Sequence, residues 1–201
     1  MATGHELNDR NAGPGPNHLL IRTTCFRKFE FSPEPIAAYD GTTWTDGYAK
    51  VGAGLTWGRN FWWELENAEG AYPLAAEYNR EAVGGTCHSG NLEELKTLYT
   101  HCTLILVGIV GWTMGGGRGW TAPLYGVGAD QVLSITIVLA NGEIVIANFE
   151  EKQDLFNAIR GGGPGFGIIT EMTLKMHKVR ILIHTYILYI LRYLFFDNQK
   201  L

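Results

Sequence analysis

The stretch from Val107 to Asp130, V-G-I-V-G-W-T-M-G-G-G-R-G-W-T-A-P-L-Y-G-V-G-A-D, contains eight glycines in twenty-four residues. Glycine adds no side-chain volume to a core and loses more backbone entropy on folding than any other residue. Its bare amides can form concave sets of N–H donors for phosphate or carbonyl oxygens, and they let a flat ring lie against the main chain. The stretch therefore predicts a wall that faces a large anionic cofactor. The alternative is a series of tight turns between strands.

The composition predicts one folded domain rather than a disordered chain. Of the 201 residues, 46% are hydrophobic and 18% are charged, which is enough apolar material for a sizeable core. The formal net charge is −4 and the sequence contains no Lys/Arg cluster, so we expect no nucleic-acid partner. The three cysteines, Cys25, Cys87 and Cys102, cannot all pair, which argues against a disulfide scaffold.

Hydrophobic periodicity predicts an α+β fold with a mixed or antiparallel sheet and flanking helices. The clearest element is a hairpin, because Ala140-Asn141-Gly142 joins two β-branched runs and Asn-Gly is a strong turn signal. Strands are predicted over Leu19–Phe26, Gly47–Gly54, Val132–Leu139, Glu143–Asn148 and Gly167–Met176. Helices are predicted over Trp57–Asn67, with Thr56 as its cap, and over Glu151–Ile159, which ends before a run of glycines.

Two further patterns point weakly to other chemistry. The segment G-A-G-L-T-W-G, built on Gly52 and Gly54, resembles a nicotinamide-binding Rossmann fingerprint. That fingerprint needs a βαβ unit with an acid closing the next strand, and the following residues show no such strand. Cys87-His88 and His101-Cys102 are two pairs of adjacent residues, which seldom chelate one ion together, so we expect no metal site.

Six sequence blocks, taken in order, resemble one known family. They are G-H-E-L-N-D-R, G-G-T-C, V-G-I-V-G-W-T-M-G-G-G-R-G, Y-G-V-G-A-D-Q-V, A-N-G-E-I-V and D-L-F-N-A-I-R-G-G-G-P-G-F-G-I-I-T. Together they resemble the PCMH-type FAD-binding domain of berberine-bridge-enzyme-like oxidases, which belong to the vanillyl-alcohol-oxidase superfamily. The resemblance runs from residue 3 to about residue 178. It implies an FAD-linked oxidoreductase in which a substrate carbon passes hydride to the flavin and molecular oxygen can reoxidise it.

The resemblance also implies which residues meet the flavin. His5, which follows Gly4, matches the histidine that attaches the ring through its 8α position, and Cys87 matches the cysteine that attaches it through position 6. Two such bonds would hold FAD permanently. The glycine-rich wall would approach the pyrophosphate and the ring, and two later blocks match segments near the cofactor. The other expected cofactor-binding residues are Val107, Gly108, Gly111, Gly115, Gly116, Gly117, Gly119, Asp130, Val132, Gly167 and Ile168.

Two segments depart from the family pattern. Residues 90–106 match nothing in the family, and removing them joins the cysteine block to the wall. The codons at the two ends of this segment can contain a splice donor and an acceptor, so we interpret it as a retained in-frame intron, with a lineage-specific loop as the alternative. Residues 179–201 form an unmatched apolar tail that is too short and too interrupted to be a good membrane span.

The family's substrate domain has no counterpart in this sequence. We therefore expect the chain to be the FAD-binding part of an enzyme whose small organic substrate is unidentified and whose catalytic base cannot be named. The alternative is an inactive fragment from a mis-spliced or mispredicted gene that binds FAD weakly or not at all. The N-terminus lacks the pattern of a signal peptide, and the sequence does not indicate a cellular location.

Overall fold

The computed structural model describes residues 21, 23, 25–38, 40–57, 71–84, 107–119, 121–162 and 165–178. Within these ranges the strands are β1 Phe29–Ser32, β2 Ile36–Ala37, β3 Thr43–Trp44, β4 Tyr48–Gly52, β5 Arg80–Glu81, β6 Val132–Val138, β7 Ile144–Asn148, β8 Ile168–Lys175 and β9 His177–Lys178. The α-helices are Ala71–Ala76, Ile109–Met114, Ala122–Tyr125 and Gln153–Ile159, and a 3₁₀ turn covers Gly128–Gln131.

A five-stranded sheet with the order β1-β4-β8-β6-β7 is the centre of the fold. Every strand pair in it is antiparallel. Two small antiparallel pairs, β2-β3 and β5-β9, lie beside it. The structure therefore confirms the predicted α+β class, and within the described ranges the sheet is antiparallel rather than mixed.

The hairpin β6-β7 forms as its turn chemistry predicts. The N–H of Gly142 donates to the carbonyl of Leu139 at 2.9 Å, and the N–H of Leu139 donates to the carbonyl of Glu143 at 2.9 Å. Gly142 has a φ of 84°, in the left-handed region that closes a three-residue hairpin loop. The side chain of Asn141 accepts from the N–H of Glu143 at 3.0 Å, which tightens the turn further.

One face of the sheet carries the core. Ile135 and Ile137 alternate along β6, Met172 and Leu174 alternate along β8, and all four side chains are buried. The helix Gln153–Ile159 covers this face with buried Phe156 and Ile159. The start of β6 breaks the alternation, because a register shift against β8 lies between Val132 and Ser134 and leaves both Val132 and Leu133 buried.

The predicted strand Leu19–Phe26 is wrong where it can be checked. Cys25 lies in a turn, and the N–H of Phe26 donates to the carbonyl of Thr23 at 2.9 Å, whereas the strand begins at Phe29. The segment is bonded to β4 only irregularly: the carbonyls of Phe26 and Lys28 accept from the N–H groups of Gly54 and Gly52, and Ile21 and Phe26 are 41% and 43% exposed. The predicted helix Trp57–Asn67 lies outside the described residues beyond Trp57, which is in a bend.

Candidate functional site

The glycine-rich wall begins as a strand-like extension beside the sheet. The N–H of Trp57 donates to the carbonyl of Val107, and the N–H of Ile109 donates to the carbonyl of Leu55, both at 3.2 Å. Gly108 forms an isolated antiparallel bridge with Thr56. These bonds position the start of the helix Ile109–Met114.

Two glycines of the wall are required by the ring of Trp112. A Cβ atom on Gly117 would lie 2.5 Å from this ring, and one on Gly128 would lie 2.4 Å from it. The ring also meets Trp57 edge to face, with 5.4 Å between centroids. The N–H of Gly128 donates to the carbonyl of Gly117 at 2.6 Å. The absence of side chains at these two positions is therefore explained by packing inside the protein.

Gly119 and Gly167 are also explained by close backbone approach. A Cβ atom on Gly119 would lie 2.2 Å from the carbonyl oxygen of Gly84, and one on Gly167 would lie 2.4 Å from the carbonyl oxygen of Val138. Real Cβ atoms do not approach so closely, so these positions hold two segments of the chain together. The contact of Gly119 brings the wall against the segment that leads to Cys87.

Gly111 and Gly116 behave differently, because a Cβ atom on either would meet nothing within 4 Å among the described residues. Gly111 is exposed on the helix Ile109–Met114, and Gly116 lies just beyond its end. The N–H of Gly116 donates to the carbonyl of Thr113 at 3.1 Å. The hydroxyl of Thr113 is buried and has no hydrogen-bond partner in the described parts of the chain. Gly116 has a φ of 98°, which by itself favours glycine, whereas the bare backbone of Gly111 is exposed and open to a ligand.

Asp130 fixes residues 127–130, the last part of the glycine-rich wall. Its carboxylate accepts from the N–H of Val127 at 3.0 Å and lies 3.9 Å from the guanidinium of Arg160. Arg160 also donates to the carbonyl of Ala129 at 2.9 Å. The N–H of Ala129 in turn donates to the carbonyl of Gly116 at 2.9 Å, so this part is bonded directly to the earlier residues of the wall.

The remaining predicted residues lie at two ends of the sheet or outside the description. Val132 follows the wall directly, but its side chain is in the core. Ile168 pairs with Val138 at the other end of β6, roughly 20 Å away by strand geometry. Gly4, His5 and Cys87 lie outside the described residues. The structure thus brings Val107 to Gly119 together with Asp130 and Val132, and it places Gly167 and Ile168 apart from them.

Sequence reasoning missed a buried polar cluster at the base of the wall. His177 and Gln131 are both buried, and His177 Nε2 lies 2.8 Å from Gln131 Oε1. The available signal was weak: Leu174 and Met176 are apolar, and a histidine follows them where the alternation of β8 ends. A histidine that follows buried apolar residues at the end of a strand is expected to have a buried hydrogen-bond partner.

Clusters of metal ligands and membrane-spanning helices are absent from the described ranges. No group of three or more His, Cys, Asp or Glu side chains there could hold a metal ion. No helix in the described ranges is long and apolar enough to cross a bilayer.

Comparison with known proteins identifies the fold and its cofactor. A family model described as an FAD binding domain matches residues 92–148. The match begins inside the segment 90–106, so the limits of that segment stay a prediction. The FAD-linked oxidoreductase apf9 of Gibberella fujikuroi is 32% identical over 189 residues, which cover 90% of this chain and 27% of that protein.

Two solved structures show the same architecture. A VAO-type flavoprotein from Myceliophthora thermophila superposes with a TM-score of 0.59 and 30% identity, over 78% of this chain and 23% of its own. A glucooligosaccharide oxidase from Acremonium strictum, described with a 6-S-cysteinyl, 8α-N1-histidyl FAD, superposes with a TM-score of 0.56 and 25% identity, over 80% and 26%. This chain spans about a quarter of the length of these relatives. It belongs to the vanillyl-alcohol-oxidase superfamily, and its sheet and glycine-rich wall are part of a PCMH-type FAD-binding domain.

Proposed function

We propose that this chain is the FAD-binding portion of an FAD-linked oxidoreductase that oxidises a small organic substrate, with the flavin tethered through His5 and Cys87. When bound, FAD supplies the hydride acceptor, and molecular oxygen is the expected final acceptor. The protein's part is to hold and orient the cofactor. The superfamily membership and the neighbour with a histidyl and cysteinyl flavin support this proposal.

The contact between Gly119 and Gly84 is the observation that supports attachment of the flavin to Cys87. A Cβ atom on Gly119 would lie 2.2 Å from the carbonyl oxygen of Gly84, so the two backbones touch. Only two residues, Gly85 and Thr86, lie between Gly84 and Cys87, so the two Cα atoms are at most about 11 Å apart. Chain connectivity therefore limits how far the candidate attachment residue can be from the wall that would receive the flavin.

The bare surface at Gly111 and Gly116 is the expected contact for the cofactor. A flat ring or a phosphate can approach a backbone that has no Cβ. The amide of Gly116 already donates to the carbonyl of Thr113, so this glycine would offer close approach rather than a free donor. Gly117 and Gly119 offer no such open surface on their Cβ side, because Trp112 and Gly84 already fill that space. Gly167 and Ile168, at the far end of β6 and β8, would meet a different part of an extended dinucleotide.

The test is whether flavin stays with the chain after denaturation. We expect purified protein, unfolded in guanidinium and separated from small molecules, to keep its flavin absorbance. Peptide mass mapping should find the flavin on peptides that contain His5 and Cys87. His5→Ala and Cys87→Ser should each leave one linkage, and the double variant should leave none. Cys25→Ser is the matched control, since Cys25 is an exposed free cysteine outside the site, and it should keep both linkages. Unchanged covalent flavin in the double variant would contradict the assignment.

The second possibility is an inactive fragment, in which the chain binds FAD weakly or not at all. It is favoured by the chain's coverage of about a quarter of its relatives, since residues outside this sequence could complete the site. The same measurement decides between the two, because this alternative predicts colourless protein that takes up no flavin when FAD is added.

The nicotinamide-binding alternative is not supported by the described residues. Cβ atoms on Gly52 and Gly54 would lie 2.3 Å from the carbonyl oxygen of Phe26 and 2.0 Å from that of Thr23, so the protein's own backbone occupies this surface. β4 pairs antiparallel with both of its neighbours, whereas a Rossmann unit needs parallel strands. Release of a nicotinamide cofactor on denaturation would restore this reading.

A further inference from the structure

We infer that His177 is a positioning residue for attachment of the flavin to Cys87. It joins the base of the glycine-rich wall to the strand that leads toward this cysteine. The inference rests on the proposed function, because it presumes that Cys87 forms a bond to the flavin. The buried cluster around His177 holds residues 80–84 in register with the glycine-rich wall.

The orientation of the Gln131 amide is determined by its neighbours. Its Nε2 donates to the carbonyl of Tyr125 at 2.7 Å and to the carbonyl of Val127 at 3.1 Å. Carbonyl oxygens only accept, so the amide nitrogen must face them and both of its hydrogens are used. Oε1 therefore points the other way, toward His177.

This orientation determines the proton on His177. Gln131 Oε1 can only accept, so the ring nitrogen 2.8 Å from it must carry a hydrogen. His177 thus donates from Nε2 to Gln131. Both residues are buried, with 4% and 2% of their surface exposed, and loss of this donor would leave a buried acceptor unsatisfied.

The ring of His177 also organises aromatic neighbours. It stacks on Tyr125 with 3.8 Å between centroids and an interplanar angle of 21°, and it meets Trp44 edge to face at 4.9 Å. The hydroxyl of Tyr125 donates to Glu81 Oε1 at 2.9 Å. Tyr125, on which the imidazole stacks, therefore connects the glycine-rich wall to β5.

The same residue is built into the strand pair that approaches Cys87. His177 lies in β9, and its register partner in β5 is Glu81. From Glu81 the chain continues through buried Ala82 and Val83 to Gly84, which touches Gly119. The pair β5-β9, the Tyr125–Glu81 bond and the His177–Gln131 bond therefore hold residues 80–84 against the wall. Together they set the point from which the chain proceeds to Cys87.

The His5 linkage serves as the internal control, because His5 is 75 residues before Arg80 and does not share the short link from Gly84 to Cys87. General loss of stability should lower occupancy of both linkages. A change in register between residues 80–84 and the wall should lower the Cys87 linkage selectively. A displacement of about 1 Å can slow a reaction on the order of 100-fold, so the effect should be measurable.

The experiment compares His177→Leu with His177→Gln in the full chain. The leucine variant removes the N–H donor, and the glutamine variant can present an amide donor to Gln131. Each is purified with FAD present, and mass mapping measures the flavin on the His5 and Cys87 peptides over time. We expect His177→Leu to form the Cys87 linkage on the order of 10-fold to 100-fold more slowly with the His5 linkage retained. His177→Gln should restore most of the rate.

Two outcomes would overturn the inference: an unchanged Cys87 linkage in His177→Leu, or equal loss of both linkages. If this variant is insoluble, Tyr125→Phe decides, since it keeps the stacked ring and removes the hydroxyl that donates to Glu81. A partial, selective fall at Cys87 is then expected, and no change would overturn the inference. Wild-type protein without covalent flavin would instead reject the proposed function, so the two failures are distinguishable.

Discussion

At the scale of single residues, the glycines of the wall serve two separate purposes. Gly117, Gly119 and Gly128 lack side chains because other atoms of the protein occupy the space. Gly111 and Gly116 have open space where a Cβ atom would be. A glycine count therefore overstates the surface available to a cofactor, and substitutions should separate the two groups.

Alanine at Gly119 and at Gly111 should have opposite effects on the stability of the apo protein. Gly119→Ala forces a methyl group against the carbonyl oxygen of Gly84, and overpacking of this kind costs about 1–3 kcal/mol. Gly111→Ala lies in a helix with open space around it and should raise the free energy of unfolding by about 0.5–1 kcal/mol. Denaturant unfolding of the apo protein measures both changes, and equal destabilisation would contradict the distinction. FAD titration should show weaker binding by Gly111→Ala despite its greater stability.

The turn between β2 and β3 predicts a local pH effect. The hydroxyl and the N–H of Thr42 donate to Asp40 at 2.6 Å and 3.1 Å, and these bonds hold the pKa of Asp40 below its ordinary value of 3.8. Because the folded pKa is lowered, ionised Asp40 stabilises the turn above the ordinary pKa. This contribution is lost as pH falls through the lowered value. Thr42→Val should move the pKa of Asp40 up toward its ordinary value, whereas Thr42→Ser should not. Carboxyl NMR titration measures both, and an unchanged pKa in the valine variant would contradict the assignment.

At the scale of elements, the β6-β7 hairpin and the helix Gln153–Ile159 follow from local sequence. Turn chemistry and apolar spacing act over a few residues, so both elements lie within two residues of their predicted limits. The same kind of prediction is wrong for the segment before β1, where Cys25 lies in a turn and the carbonyls of Phe26 and Lys28 accept from Gly54 and Gly52 without forming a regular strand. Composition alone does not distinguish those two outcomes.

Gly142 should be limited by backbone conformation alone. Its φ is 84°, and a Cβ atom there would meet nothing within 4 Å among the described residues. Gly142→Ala should therefore lower the free energy of unfolding by about 1–2 kcal/mol, the cost of a left-handed conformation for a residue with a side chain. Gly142→Asn should cost less, since asparagine tolerates that conformation better. Thermal unfolding of the two variants provides the check, and the reverse order would show that the turn is not left-handed.

At the scale of the whole molecule, one face of the five-stranded sheet is covered and the edge strand β7 leaves apolar residues exposed on the other. Ile135 is fully buried on the covered face, whereas Ile146 on the paired strand is 50% exposed. The alternation of a pleated strand produces this contrast, since neighbouring residues point to opposite faces.

The same substitution on the two faces should separate core from surface. Ile135→Thr replaces a buried ethyl group with a hydroxyl, which should cost about 2–4 kcal/mol. Ile146→Thr keeps a β-branched side chain at an exposed position and should change stability by no more than about 0.5 kcal/mol. Guanidinium unfolding measures both, and a large loss in Ile146→Thr would mean that this face is covered.

Sequence by itself determined the fold class, the hairpin, the later helix and the position of the glycine-rich wall, because periodicity and turn chemistry are local properties. It also led, through family resemblance, to FAD. Only the tertiary structure decided the strand order β1-β4-β8-β6-β7 and which glycines present bare backbone. Which glycines present bare backbone depends on tertiary packing, because Gly84 folds against Gly119 and the ring of Trp112 folds against Gly117 and Gly128. The His177–Gln131 pair was equally hidden, since these residues are 46 positions apart and only long-range packing brings them together.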